Sequence, residues 1–171
     1  MPYSFDVHGP FLVPLDKIPA KKKKMQYFQV ACNEKLDVFW EQNEMANEKG
    51  CYVFVNSVAG GVTPIYVGKT NVSFRNEIFT PHKRVLLNQF INTTSKKGLR
   101  VFFITPQSNA DMKKIIDEIE SYLIIQAKRA NEELLNEKKT APKWSIAGIY
   151  GETKIGKPSK AVSALKKSLK L

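Results

Sequence analysis

Two tyrosines and a lysine stand on neighbouring apolar segments and could act together on a phosphate group. Tyr52 lies in the run Gly-Cys-Tyr-Val-Phe-Val, and Tyr66 lies in Ile-Tyr-Val-Gly-Lys-Thr, which contains Lys69. Both runs are rich in β-branched and aromatic residues and flank an Ala-Gly-Gly loop, so they predict a β-hairpin. A buried strand pair has no need of two hydroxyl groups and a lysine, so the hairpin is the first candidate for a reactive site.

A carboxylate stands on the apolar face of a later segment. Glu120 lies four residues after Ile116 and four before Ile124, inside a stripe of apolar residues at helical spacing, whereas Glu118 falls on the opposite side. A carboxylate that faces a core is costly unless it is paired, hydrogen-bonded or bound to a cation. An ion pair with a lysine or arginine meets this requirement, and so does a site for Mg²⁺, which keeps most of its water ligands.

Hydrolysis of a phosphodiester with a single divalent metal ion would use this set of side chains. A metal ion on Glu120 would stabilise the leaving oxygen, and Arg75, which follows the hairpin, would offer forked donors to the phosphate. A tyrosine would take the proton of the attacking water, directly or through a relay. Its pKa, normally about 10, would have to be lowered by nearby cations such as Lys69 and Arg75.

The charge of the chain favours an anionic partner. The formal net charge is +11, and residues 138–171 carry nine lysines and a single acidic residue, Glu152. We expect nucleic acid rather than a membrane surface, because no basic amphipathic anchor is obvious. A basic surface that serves only solubility is the alternative.

Composition also indicates where the protein works. The chain contains no apolar run of the length of a membrane span and no export signal, so we expect neither insertion nor secretion. Two cysteines, Cys32 and Cys51, are too few for a disulfide framework and lack the spacing of a zinc site. A reducing compartment is the simpler interpretation, and the sequence predicts a cytoplasmic protein.

The remaining segments must position the reactive side chains. Four prolines in residues 1–20 exclude a long helix there, although Phe11-Leu12-Val13 could add a short edge strand or a packing arm. Capping and periodicity predict helices over about 33–47, 81–91, 108–130 and 158–169, with a continuation of the third or a second short helix through 137. A third strand is predicted at 99–104, a short helical turn at 71–79, and a strand or packed arm at 144–150.

The order of these motifs resembles that of the GIY-YIG nuclease superfamily. Residues 50–52, Gly-Cys-Tyr, stand where the family has Gly-Ile-Tyr, and residues 66–68, Tyr-Val-Gly, stand where it has Tyr-Ile-Gly. Segment 69–75 is similar to the family's next segment, which carries an arginine. Residues 120–124 are similar to its E-x-x-L-I helix, and Asn131 matches a later asparagine. The resemblance covers about residues 50–136.

The resemblance implies an α+β fold in which a small three-stranded antiparallel sheet is flanked by helices. Residues 49–137 would form the nuclease core. Residues 1–48 would be an N-terminal extension with a packing helix, and residues 138–171 a basic C-terminal extension packed on the core. The implied activity is that of an endonuclease that cleaves DNA and depends on Mg²⁺ or Mn²⁺.

The resemblance also assigns roles within the site. Tyr52 would be the general base, and Tyr66 would orient water or phosphate. Lys69 and Arg75 would hold the phosphate, and Glu120 would bind the metal ion.

Two further residues would complete the site. Asn131 would order the cleft, although the proline that often precedes the family's asparagine is absent. Phe79 stands where many members have a polar residue, and His82 could take that role from the next helix or be an exposed first-turn histidine. Two other departures are Cys51 in place of isoleucine and an Arg75 one residue closer to the glycine.

A catalytically inactive nucleic-acid-binding module on the same fold is the alternative function. An inward glutamate beside cationic residues favours the nuclease, because a carboxylate repels phosphate and has no use in a binding module. Substrate structure and oligomeric state are left open. The basic residues expected to contact nucleic acid are Lys69, Arg75, Lys83, Arg84, Lys157, Lys160, Lys166 and Lys167.

Overall fold

The computed structural model of the protein describes residues 3–19, 27–32, 34–58, 61–94, 98–107, 112–138 and 159–169. These segments contain strands and helices in an α+β arrangement, as predicted. In chain order they are β1 (Phe5–Leu12), β2 (Leu15–Ile18), β3 (Tyr27–Val30), α1 (Glu34–Asn43), β4 (Gly50–Val58), β5 (Gly61–Thr70), α2 (Phe74–Glu77), α3 (Pro81–Thr94), β6 (Leu99–Pro106), α4 (Lys113–Ala130) and α5 (Lys160–Leu169).

Four strands form one antiparallel sheet in the order β1-β6-β4-β5. The predicted hairpin is present as β4 and β5, and β6 pairs with the other side of β4. The fourth strand is β1, which pairs with β6, so the prediction of a three-stranded sheet is wrong. β1 covers an edge of β6 that would otherwise present unpaired backbone groups, which explains the extra strand.

Strand β1 tolerates a proline because its pairing is interrupted there. The register with β6 shifts between His8 and Phe11, so the N–H that Pro10 lacks is not needed for the ladder. Gly9 has a φ of 107°, a conformation that favours glycine. The segment at Phe11 therefore forms an edge strand, one of the two outcomes that its sequence allowed.

A second, two-stranded sheet contains β2 and β3. Two asparagines of α3 hold its inner strand through side-chain amides. The Oδ1 atom of Asn88 accepts from the backbone N–H of Val30 at 2.7 Å, and Asn92 bonds both the N–H and the carbonyl of Phe28. Four consecutive lysines at 21–24 follow β2 in the sequence and lie outside the described residues.

Helix α4 begins at Lys113 rather than at 108, whereas α1 and α3 differ from the prediction mainly at their ends. α3 begins at Pro81 as predicted but continues to Thr94. α1 stops at Asn43 rather than near 47, because the Asn43 side chain binds the carbonyl of Phe39 and the N–H of Met45. The capping box at 108–111 and the segment 144–150 lie outside the described residues.

Helix α4 ends at Ala130 as predicted, but neither the continuation nor the second short helix predicted through 137 is present. The following segment instead runs along the free edge of β5. The backbone N–H of Leu135 donates to the carbonyl of Ile65 at 2.9 Å, and Asn136 bonds both backbone groups of Val67. The backbone groups at the edge of β5 would otherwise be unpaired, so hydrogen bonds to them are favoured over a further turn of α4.

The sheet carries apolar side chains on both faces. Tyr52, Phe54 and Phe103 pack on one side with aromatic residues of α1 and the apolar face of α3. Their neighbours in the chain point the other way, and Cys51 and Ile104 pack against α4. Residues 1–48 thus contribute an edge strand and core aromatics to the same sheet. β5 lies at one edge of the sheet.

Candidate active site beside the edge strand

A cleft of about 630 Å³ lies beside β5. Strand β5, helices α3 and α4 and the segment after α4 contribute its walls. The described lining residues are Tyr66, Lys69, His82, Leu86, Asp117, Glu120, Ile124, Leu135, Asn136, Glu137 and Lys138.

Four predicted site residues meet in this cleft: Tyr66, Lys69, His82 and Glu120. Tyr66 and Lys69 are three positions apart on a strand, so their side chains leave from opposite faces of the sheet. The cleft receives both because it reaches around the free edge of β5. Glu120 faces it from α4, where the apolar stripe packs on the sheet, and His82 from the first turn of α3.

Tyr52, predicted as the general base, does not line the cleft. It lies on the central strand β4 with a fully buried side chain, and among the described residues its hydroxyl has no hydrogen-bond partner. Burial, followed by the nearby Tyr66 and Glu77, raises the pKa of Tyr52 far above its ordinary value. A phenol that water does not reach and that holds its proton this firmly is unsuited to proton abstraction.

Tyr66 is the tyrosine that reaches the cleft. Its ring lies 6.3 Å from that of Tyr52, and its side chain is half-buried. Burial raises its pKa, and the carboxylates of Glu120 and Glu77 add to the shift because a second negative charge nearby is unfavourable. The expectation that Lys69 and Arg75 lower the tyrosine pKa is therefore wrong. Tyr66 is a neutral hydroxyl that can donate a hydrogen bond.

Arg75 is not among the described residues that line the cleft. Its Nη2 atom lies 2.5 Å from Oδ1 of Asp37 on α1, and both side chains are about half exposed. Arg75 lies on the short helix α2, which Ser73 caps by accepting from the N–H of Asn76. A phosphate would have to draw this arginine away from Asp37 before Arg75 could bind it.

Lys69 is the predicted phosphate ligand that the cleft does contain. Its Nζ atom lies 2.5 Å from Oδ1 of Asp117, a lining residue on α4 that the sequence analysis did not single out. Asp117 precedes Glu120 by three positions, so both carboxylates lie on one face of the helix. This spacing is the signal by which Asp117 could have been found.

An asparagine lines the cleft, but it is Asn136 rather than Asn131. The Nδ2 atom of Asn131 donates to the carbonyl of Pro64 at 2.7 Å, and its Oδ1 accepts from the N–H of Glu133. Asn136 bonds the N–H and the carbonyl of Val67, both at 2.8 Å. Asn136 therefore holds the part of β5 that carries Tyr66.

Lys83, predicted to contact nucleic acid, is largely withdrawn from solvent. Its side chain is 11% exposed, and its ammonium group binds the carboxylate of Glu77 and donates to the Glu77 carbonyl at 3.0 Å. The same group lies 5.8 Å from the centre of the Tyr52 ring. Lys83 and Glu77 thus form a supporting pair beneath the tyrosines, and sequence reasoning did not identify Glu77.

Of the other residues predicted to contact nucleic acid, some are bound within the protein and others lie on its surface. Arg84 donates to the carbonyls of Val30 and Ala31 and contacts the sulfur of Cys32, so it holds the end of β3. Lys160 and Lys167 are exposed on α5. Lys157 and the Lys166 side chain lie outside the described part of the structure.

The oxygen donors of the cleft determine which metal ion it could hold. Among the described residues, no group of three or more His, Cys, Asp and Glu side chains could hold a metal ion. The amide of Asn136 is already bound to Val67. The lining carboxylates are Asp117, which is paired with Lys69, Glu120 and Glu137. A single carboxylate such as Glu120 fits only an ion that keeps most of its waters and takes further ligands from a substrate phosphate.

Comparison of the chain with models of known protein families, with characterised proteins and with solved structures finds no match. Within the part of the chain that the structure describes, no helix has the length and apolar character needed to cross a membrane.

Proposed function

We propose that the protein is an endonuclease that hydrolyses phosphodiester bonds of DNA with a Mg²⁺ or Mn²⁺ ion. The observation that carries the proposal is the convergence of Tyr66, Lys69, His82 and Glu120 on one cleft from three separate segments. A lysine for phosphate, a carboxylate for a hydrated metal ion, a hydrogen-bond donor and a proton acceptor are parts that such hydrolysis uses. The net charge of +11 supports a polyanionic substrate.

The position and charge state of each group suggest its role. Glu120 would hold the metal ion, which supplies charge neutralisation at the phosphate when it is bound. Lys69 would bind a phosphate oxygen. Tyr66 keeps its proton because its pKa is raised, so it would donate a hydrogen bond to the phosphate or the attacking water. His82 is the lining side chain best suited by type to accept the proton of that water.

Tyr52 and Asn136 would support this site from behind. Tyr52 occupies the core beneath Tyr66, and Asn136 clamps the backbone of Val67 next to it. The proposal therefore moves proton abstraction from Tyr52 to His82 and moves the ordering role from Asn131 to Asn136.

Plasmid nicking in the presence of Mg²⁺ or Mn²⁺ tests the proposal. The Glu120→Ala variant should lose metal-dependent cleavage. The matched control is Glu118→Ala, which removes the same charge from the exposed side of the same helix and should cleave as the wild type does. Metal-dependent cleavage that survives in Glu120→Ala would contradict this mechanism.

A catalytically inactive nucleic-acid-binding module is the second candidate, and one contact favours it. Arg75, which would supply forked donors to the phosphate, is paired with Asp37 outside the cleft. A screen of duplex, flapped, branched and single-stranded DNA separates the two functions and probes the preferred substrate. Binding that weakens with salt, without cleavage of any of these substrates, would favour the binding module.

A further inference from the structure

The ion pair between Lys69 and Asp117 spans the cleft from β5 to α4. Nζ of Lys69 lies 2.5 Å from Oδ1 of Asp117, and the two side chains are 26% and 52% exposed. Both residues line the cleft together with Glu120. The lysine that a phosphate would need is thus already bound to a carboxylate of the protein.

Packing on both sides of the pair fixes where these two residues meet. Val67, two positions before Lys69, packs with Ile124 of α4. Cys51, the register partner of Lys69 on β4, donates from its sulfur to the carbonyl of Ile116 at 3.4 Å. Because Cys51 is the cross-strand neighbour of Lys69 and Ile116 precedes Asp117, the backbones that carry the pair are held together independently of the ion pair.

We propose that Asp117 is a positioning residue that competes with the substrate phosphate for Lys69. Without substrate, Asp117 holds the ammonium group across the cleft. A phosphate that enters the cleft takes Lys69 from Asp117, whose side chain is half exposed. This inference rests on the proposed function, since it assigns a partner to the lysine of that same site.

The strength of the pair is suited to such an exchange. Ion pairs with this degree of solvent exposure change an equilibrium by no more than about five-fold, because water screens both charges. A phosphate that offers several acceptor oxygens and a second charge can displace one carboxylate of this kind. An anion that binds weakly cannot displace the carboxylate of Asp117. The ion pair therefore reduces the unselective binding of anions that a basic protein would otherwise show.

Affinity for DNA in the absence of metal tests the inference. The probe is a short fluorescein-labelled duplex, titrated in EDTA and followed by fluorescence anisotropy, so that hydrolysis plays no part. Asp117→Asn should bind about two- to five-fold more tightly than the charge-matched control Glu118→Gln. Asp117→Ser provides a second variant without the carboxylate, and Asp117→Glu should restore the wild-type affinity.

If Asp117 competes with phosphate for Lys69, the gain in DNA affinity of Asp117→Asn should require Lys69. A general effect of charge should not require it. In a Lys69→Met background, Asp117→Asn should bind no more tightly than Glu118→Gln, because the lysine that it releases is missing. A purely structural role of Asp117 would change the unfolding temperature of the variants without this dependence. Equal affinities of Asp117→Asn and Glu118→Gln, or a gain that persists without Lys69, would overturn the inference and leave the proposed function standing. Failure of the wild type to bind the duplex at low salt would also overturn the inference, whereas plasmid nicking with metal decides the proposed function.

Discussion

The phenol ring of Tyr52 occupies the space beside Gly68 into which any other residue would project its Cβ atom. The two residues are register partners on β4 and β5. A Cβ atom on Gly68 would lie 2.3 Å from Oη and 2.4 Å from Cζ of Tyr52, far inside van der Waals contact. The tyrosine of the first strand and the glycine of the second therefore form one packing unit, and Tyr52 contributes to the site as part of its support.

Substitution of Gly68 by alanine should destabilise the protein. The new methyl group meets a fully buried ring that has little room to move, and such overpacking costs about 1–3 kcal/mol. The free energy of unfolding, measured by urea denaturation, checks this expectation.

Gly61→Ala on the same strand is the matched control, since a Cβ atom there meets no atom of the described residues within 4 Å. Adding Tyr52→Leu to the Gly68→Ala protein should recover part of the lost stability. Tyr52→Leu alone should not raise the stability of the wild type. A Gly68→Ala protein as stable as Gly61→Ala would contradict the packing described for Tyr52.

Stability should fall as the pH rises above 10.0, the ordinary pKa of a tyrosine. Burial raises the pKa of both Tyr52 and Tyr66, so in this range the folded protein keeps protons that the unfolded chain releases. Because the unfolded state then binds fewer protons, the free energy of unfolding decreases with pH. Below the ordinary pKa both states are protonated, and these residues cause no dependence on pH.

Urea denaturation on both sides of pH 10.0 measures this dependence. The Tyr52→Phe variant should show a shallower decrease, because it lacks one of the two raised groups. At neutral pH the same variant should be about as stable as the wild type, since within the described part of the structure the Tyr52 hydroxyl has no hydrogen-bond partner to lose. A wild-type decrease with the same slope as that of Tyr52→Phe would argue against the raised pKa of Tyr52.

Removal of the Asn136 side chain should affect both stability and cleavage. Asn136→Ala leaves the N–H and the carbonyl of Val67 without their side-chain partners, which should cost about 1–3 kcal/mol of unfolding free energy. The loss loosens β5 next to Tyr66, so any nuclease activity should fall by more than the unfolded fraction explains. Thermal denaturation and plasmid nicking on the same preparation provide the two measurements.

Asn131→Ala is the comparison for this effect. It removes the bond to the Pro64 carbonyl, two positions from Tyr66 on β5, and the bond from Glu133 within the segment after α4. We expect it to lower stability but to leave the cleavage rate of the folded protein close to that of the wild type. If Asn131→Ala impaired cleavage more than Asn136→Ala did, the assignment of the cleft asparagine would be wrong.

Local patterns in the sequence were enough to predict most of the secondary structure. Two β-branched and aromatic runs around a glycine loop form the hairpin, and Thr80-Pro81 marks the start of α3. The apolar stripe of α4 identified its buried face, and with it the position of Glu120 toward the cleft. These features are decided by strand alternation, helical periodicity and caps, which act over a few residues.

The composition of the site depended on contacts between distant segments. Which tyrosine reaches the cleft was decided by strand order, because β5 is an edge strand and β4 is covered on both sides. The pairing of Arg75 with Asp37 joins residues 38 positions apart, and the bond between Asn136 and Val67 joins residues 69 positions apart. No local pattern encodes such distances.

By itself, then, the sequence determined an α+β chain with a tyrosine-bearing hairpin and an inward glutamate on a long helix. Tertiary structure alone decided that β1 completes the sheet, that Tyr52 is sealed beneath Gly68 and that Lys69 meets Asp117. The physical reason is the same in each case. An edge strand, a buried ring or an ion pair takes its partner from whichever segment the packing of the whole chain brings beside it.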